Sequence, residues 1–177
     1  MAVVTATAAA LAIAGCGQPI TSRQARSGRT PAVTPEPAVA TAPGAASLES
    51  LAAAAQNLRE PRRSIVETTL AMVGASAGEL DCSSFAQHVY RLCGAGVPRT
   101  VEGQFASGRN VPSSDLQPGD LVFFSFSHGV ADHVGIYAGS GSFAHVSAAS
   151  RRVRLESLAD PSFARTSVGA RRFLPSG

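Results

Sequence analysis

Tryptophan is absent from the 177 residues, tyrosine occurs twice and phenylalanine eight times, so alanine and aliphatic side chains must supply most of any core. The basic residues form no dense block interleaved with aromatics, and the formal net charge is only +3. That balance excludes the electrostatic footprint of a nucleic-acid-binding protein and is compatible with an anionic substrate or surface. Three cysteines do not make a disulfide framework. Cys82 and Cys93 fall on one predicted helix, where a rise of 1.5 Å per residue separates them by about 16 Å. A disulfide needs Cα atoms within about 7 Å, so these two cannot pair. No internal repeat is present. The length suits one domain of ordinary size plus an extension, and not two full domains.

The extension lies at the N-terminus. Residues 1–15 carry no charged side chain and run through Val, Ala, Leu and Ile to a close of small residues, the form of a secretory signal. No Lys or Arg precedes this run, whereas such signals normally carry a positive start. The tetrapeptide Ile13-Ala14-Gly15-Cys16 resembles the lipobox of bacterial lipoproteins, which implies cleavage before Cys16 and acylation of that cysteine. The alternatives are an uncleaved membrane anchor or a plain leader with an incidental cysteine. Residues 16–46 are rich in Ser, Thr, Pro, Ala, Gly and Arg with no periodic apolar face, and read as an extended linker. Within residues 47–60, Leu48, Leu51, Ala55 and Leu58 outline a possible short helix. The folded domain is expected over residues 61–175.

That domain opens with a helix near Pro61, a residue tolerated in a first turn, with Ile65, Thr69, Met72 and Val73 on one side. Asp81 is a good N-cap for the next helix. Phe85, Val89, Leu92 and Cys93 recur there as one apolar face, and Gly94, Gly96 and Pro98 stop it. Cys82 then sits in the first turn, where open N–H groups and the helix dipole favour a thiolate. A polar segment over residues 100–110 leads to the turn signal of residues 115–120 and to the apolar run Leu121-Val122-Phe123-Phe124, read as a buried strand. Strands follow at 133–138 and 143–147, joined across Gly139-Ser140-Gly141, with short strands expected at 151–155 and 168–174. Helices first and an antiparallel meander afterwards define an α+β domain.

A three-residue hairpin loop would place Gly135 opposite His145 and His133 opposite Ser147, so both histidines share a face as diagonal neighbours. A four-residue loop would put them on opposite faces. A nucleophilic cysteine needs a base, and the base needs a group that fixes its tautomer; Cys82, His133 and His145 together offer all three. The same residues could instead hold catalytic zinc, although no short-spaced ligand pair is present. His88 and His128 are read as a solvated helix face and a loop.

Asp81-Cys82-Ser83-Ser84-Phe85, the Asp115–Phe124 segment Asp-Leu-Gln-Pro-Gly-Asp-Leu-Val-Phe-Phe, His133-Val-Gly-Ile-Tyr137 and Phe143-Ala-His-Val146 resemble, in order and spacing, the NlpC-type family of cell-wall cysteine peptidases. The resemblance implies a papain-like fold with Cys82 as nucleophile, His133 as general base and His145 orienting His133. It implies no cofactor, and substrates among peptidoglycan stem peptides, cut beside D-glutamyl or diaminopimelyl residues. Family members usually carry glycine where this chain has Ser84. They also commonly carry Pro-Tyr and Trp-Gly-Gly upstream of the cysteine, where this chain has Ala71–Leu80 with neither tyrosine nor tryptophan. The oxyanion would then rely on backbone N–H groups, first that of Cys82. A catalytically inactive wall-binding module, or an acyltransferase or amidase on the same scaffold, are the competing functions. Arg151, Arg152, Arg154, Arg171 and Arg172 read as a solvated face, or alternatively as partners of stem-peptide carboxylates. The expected protein is a monomer, exported, lipid-anchored to an envelope membrane on its periplasmic or outer face, and indifferent to nucleic acid.

Overall fold

The chain divides into two units, Met1–Glu36 and Pro37–Gly177. The computed structural model describes residues 44–175 apart from His128, all within the second unit. The leader, Cys16 and most of the linker lie outside the described residues, as does His128.

Helix α1 (Leu48–Ala55) begins where the Ser47 hydroxyl accepts a bond from the Ser50 N–H. It packs on α2 (Arg62–Ala71) and buries Leu51 and Ala55, so the short helix is part of the core. Helix α2 buries Ile65, Val66, Thr69 and Leu70. Met72 and Val73 fall beyond its last turn and are only partly covered. Helix α3 (Cys82–Leu92) is capped by Asp81 and buries Ser83, Phe85, Ala86, Val89 and Tyr90. Its apolar face ends a residue or two sooner than the spacing suggests. Leu92 is exposed, and Cys93 is a half-buried C-cap residue beside the Thr68 hydroxyl, because Gly94 turns the chain away at φ +73°. Cys82 and Cys93 are both free thiols.

The segment read as polar contains helix α4 (Val101–Ser107), capped by Thr100, and strand β1 (Arg109–Val111). Strands β2 (Leu121–Phe124), β3 (His133–Gly139), β4 (Ser142–Val146) and β5 (Val153–Ser157) follow, then α5 (Pro161–Ala164) and β6 (Ser167–Arg172). All pairings are antiparallel, but the order is β1-β6-β2-β3-β4-β5. The simple meander is therefore corrected: the last strand inserts between β1 and β2. The sheet has two covered faces. Leu121, Phe123, Val134, Ile136, Ala144 and Val146 meet α1–α3, while Val122, Phe124, Phe143 and Ala170 form a second cluster with Tyr137, Leu158 and Phe163. A strand covered on both sides needs apolar residues at every position, which is why β2 reads as an unbroken apolar run.

The turn before β2 holds the layers together. The Asp120 carboxylate is buried and accepts the Arg172 Nε–H and Nη2–H, each at 2.7 Å, and the Gln117 N–H at 2.8 Å. Arg62 of α2 lies 3.5 Å from the same carboxylate and donates to the Pro118 carbonyl at 2.6 Å. Tyr90 of α3 donates to the Gly119 carbonyl. Gly119 turns at φ +90°, a conformation that favours glycine. Arg172 is thus a buried structural cation, which corrects its reading as part of a solvated face. Arg171 also packs inward, its guanidinium 3.8 Å from the centre of the Phe105 ring.

Candidate active site

Two hydrogen bonds fix the start of α3. The Asp81 carboxylate accepts the Ser84 N–H at 2.7 Å, and the Ser84 hydroxyl accepts the Asp81 N–H at 2.8 Å, a complete capping box. Ser84 therefore turns its hydroxyl back to the backbone of the preceding turn, which answers what a serine does where glycine is usual. Arg99 clamps the cap from outside, donating to Asp81 Oδ1 at 3.2 Å and Oδ2 at 2.7 Å and to the Ser83 hydroxyl at 3.1 Å. Partial burial alone would raise the Asp81 pKa. The bonds from Arg99, Ser83 and Ser84 outweigh it and hold the carboxyl well below the usual range. Gln104 of α4, wholly buried, donates to the carbonyls of Ser83 and Pro98 at 3.0 and 2.8 Å and ties the same turn to the following loop.

Cys82 is half-buried in that turn. Its sulfur faces the backbone N–H of Val134, the residue after His133, so α3 and the first residues of β3 meet at the thiol. Burial pushes the thiol pKa up and Asp81 adds to the rise, while the amides of Val134, Ser83 and Cys82 pull the other way without prevailing. The expectation of a readily ionised thiol rests on the helix start alone; burial of the sulfur outweighs the amides and sets the opposite direction.

The two histidines share one face. Ile136 pairs with Ala144 and Tyr137 with Phe143, the register that sets Gly135 opposite His145. The turn itself is tighter than expected, with Gly139 against Ser142 and an irregularity absorbing Ala138. His133 Nε2 and His145 Nδ1 are 2.7 Å apart with the rings nearly perpendicular. Gly135 leaves room less for the imidazoles than for Phe143: a Cβ there would lie 2.5 Å from the Phe143 ring. His145 is 5% exposed, and burial, His133 and Arg154 push its pKa down to about 3. Its Nε2 is buried with no hydrogen-bond partner among the described residues. Burial also lowers the pKa of His133, with Asp132 opposing. Both rings are neutral at pH 7. If His133 donates its Nε2–H to His145, its Nδ1 is left with a lone pair.

The rings owe their dryness to aromatics the sequence reading did not single out. Phe143 and Phe163 lie 5.4 Å from His145, and Phe126 lies 5.7 Å from His133. Phe163 sits on α5, whose Asp160-Pro161 start is a recognisable helix signal in a segment too short to show periodicity. Replacing Phe163 with alanine readmits water beside His145 directly, and beside His133 by uncovering Phe126, on which Phe163 packs at 6.0 Å. Less desolvation raises their pKa values, so the acid limb of any activity that needs neutral His133 moves to higher pH. A pH–rate profile of the variant beside the wild type checks the direction; an unmoved limb would remove Phe163 from this role.

His88 is half-buried on α3 within 3.3 Å of Arg91 and far in sequence from this face. Among the described residues, no group of three or more His, Cys, Asp or Glu side chains is arranged to hold a metal ion. A thiol beside open amides, an imidazole with one nitrogen free and a second imidazole on its other nitrogen make up the parts of nucleophilic acyl transfer.

Residues 68–172 match the NlpC/P60 family. A gamma-D-glutamyl-L-lysine dipeptidyl-peptidase of Bacillus cereus is 36% identical over 104 residues, 58% of this chain and 31% of that protein. A probable endopeptidase NlpC homolog of Haemophilus influenzae is 36% identical over 110 residues, 62% of this chain and 57% of that protein. The chain therefore spans well under two thirds of either relative. A crystal structure of an NlpC/P60 family protein from Bacillus cereus superposes with a TM-score of 0.61 at 30% identity, over 67% of this chain and 42% of that one. With the family matched across the helices and sheet that carry Cys82, His133 and His145, and the same papain-like α+β fold, the chain belongs to the NlpC/P60 family.

Proposed function

We propose that the protein is a cysteine endopeptidase that hydrolyses peptidoglycan stem peptides at a D-glutamyl bond, with Cys82 as nucleophile, His133 as general base and His145 as its orienting partner. The observation that carries the reading is the sulfur of a helix-start cysteine set beside the strand that begins at His133, whose ring is bonded to His145 of the next strand. The Bacillus cereus relative, a gamma-D-glutamyl-L-lysine dipeptidyl-peptidase, supports the γ-D-glutamyl bond and a diamino acid after it.

In this mechanism His133 Nδ1 takes the thiol proton as sulfur attacks the amide carbonyl, forming the C–S bond. The developing oxyanion is met by N–H groups of the first turn of α3, which have no partner within the helix. Collapse breaks the C–N bond, and His133 returns the proton to the departing amine. Water then attacks the thioester, giving its proton to His133, and the C–S bond breaks to release a carboxylic acid and restore the thiol. His145 accepts the His133 Nε2–H throughout and so keeps the lone pair on Nδ1. The raised thiol pKa and the missing upstream tyrosine favour a second reading, a slow enzyme or a wall-binding module on the same fold.

Incubating muropeptides with the full chain, wild type beside Cys82→Ala, and reading products by mass spectrometry tests the proposal. A product formed only by the wild type supports it and names the bond; no product with binding retained would favour the module.

The protein is further proposed to be exported and held at an envelope membrane by acyl chains on Cys16, acting there as a monomer. The apolar run and the Ile13–Cys16 motif support this. Metabolic labelling with palmitate is expected in the wild type and lost in Cys16→Ala. Equal labelling of both would discard the anchor.

A further inference from the structure

Phe126 stands half out of water at 53% exposure, on the loop between β2 and β3. The loop is not slack there. The Phe126 N–H donates to Asp132 Oδ1 at 2.9 Å, the Asp132 N–H to the Phe124 carbonyl at 3.0 Å, and the Ser125 N–H to the Thr166 carbonyl at 2.8 Å. These bonds hold the ring 5.7 Å from His133 at 66°, stacked at 6.3 Å on Phe124. An exposed ring forgoes about 25 cal/mol for each Å² of apolar surface left in water; packing on Phe124, Phe163 and His133 covers about half of Phe126, and the other half is left open beside a reactive imidazole.

The position relative to the reaction is set by the histidine pair. His133 Nε2 is engaged by His145, so the proton returned to a leaving amine must come from Nδ1. That amine stands about 3 Å from the ring at transfer. The side chain of the residue that carries it therefore falls beside whatever borders the imidazole away from His145. Two phenylalanine rings flank that imidazole, Phe124 at 6.3 Å and Phe126 at 5.7 Å; Phe124 is wholly buried, so the ring open to an incoming side chain is Phe126. Asp132, exposed on the same loop with one oxygen held by the Phe126 N–H, adds a negative charge.

Resting on the peptidase reading, we propose that Phe126 is a specificity-determining residue for the leaving-group side of the scissile bond. It selects a diamino acid, whose methylenes cross the exposed ring while its terminal ammonium stays in water near Asp132.

The test uses the full chain and two peptides that differ only after γ-D-glutamate, one with L-lysine and one with L-alanine. Wild type, Phe126→Ala and Phe126→Leu are compared. The wild type is expected to prefer lysine, and Phe126→Ala to lower the lysine-to-alanine ratio of kcat/KM by about 10-fold, mainly through KM for the lysine peptide. Phe126→Leu should restore most of the ratio, and any shift of the acid limb of kcat/KM that follows from uncovering His133 should be the same for both peptides. An unchanged ratio, or an equal loss on both peptides with a displaced acid limb, would overturn the inference and make Phe126 a mere shield for His133. Failure of the wild type on both peptides would instead overturn the peptidase reading itself, and with it the inference.

Discussion

Cys82→Ala lowers muropeptide hydrolysis by at least about 10,000-fold, the loss typical when the nucleophile of an interdependent catalytic group is removed. The substitution deletes one sulfur atom from a half-buried position, so Tm should stay within about 4 °C of the wild type. Loss of activity without loss of fold is the signature that separates chemistry from architecture. His133→Ala should bring a similar loss, and the double variant little more, because neither group accomplishes the step without the other. The outcome that sinks the assignment is activity in Cys82→Ala within about tenfold of the wild type, since no other described thiol is near β3. Cys93, at the far end of α3 beside Thr68, cannot substitute for it.

Asp120→Ala has the largest expected effect on stability. The carboxylate is wholly buried and receives two charge-assisted bonds from Arg172 and one from the Gln117 amide, with Arg62 close by. Among the described residues, deleting it leaves the Arg172 guanidinium, itself 4% exposed, with only Asp115, whose carbonyl it reaches at 2.6 Å and whose carboxylate at 3.4 Å. Removing one partner of a buried pair costs about 3–5 kcal/mol, because the surviving charge cannot reach water. For a domain of this size that is a fall of roughly 10–20 °C in Tm. Replacing the pair together, as Asp120→Leu with Arg172→Met, should cost less than Asp120→Ala alone, since the more buried guanidinium is then gone and Arg62 keeps its bond to the Pro118 carbonyl. Thermal denaturation of the three proteins checks both statements. A single variant that melts within about 3 °C of the wild type would mean the cluster contributes little.

How far the sequence could be read depended on the range of the interactions involved. Asp81 as N-cap, the buried run at β2 and the register that brings His133 to His145 are settled within a few residues of one another, and local rules reached them. The place of β6 in the sheet and the burial of Arg172 depend on Asp120, 52 residues earlier, and no periodicity carries that information. Helices α4 and α5 were missed for another reason. Each is too short for an apolar face to repeat, although Thr100 and Asp160-Pro161 were available as start signals. At the site, identity was legible where electrostatics was not. The helix start argues for an ionised sulfur, and burial of that sulfur tips the balance the other way, although the Val134 amide of β3 acts with the helix start.

The position of β6 also orders events in time. Ribosomal synthesis delivers β1 and β2 early, but the strand that joins them is the last of the six to emerge. Until residues 167–172 appear, the Asp120 carboxylate has no Arg172 and one edge of β2 has no partner. Partnerships so distant in sequence are slow to form, and a nascent chain cannot complete them. The domain is thus kept from locking shut before it is finished. Under the export proposed above, a chain threaded unfolded through a channel would draw on that delay.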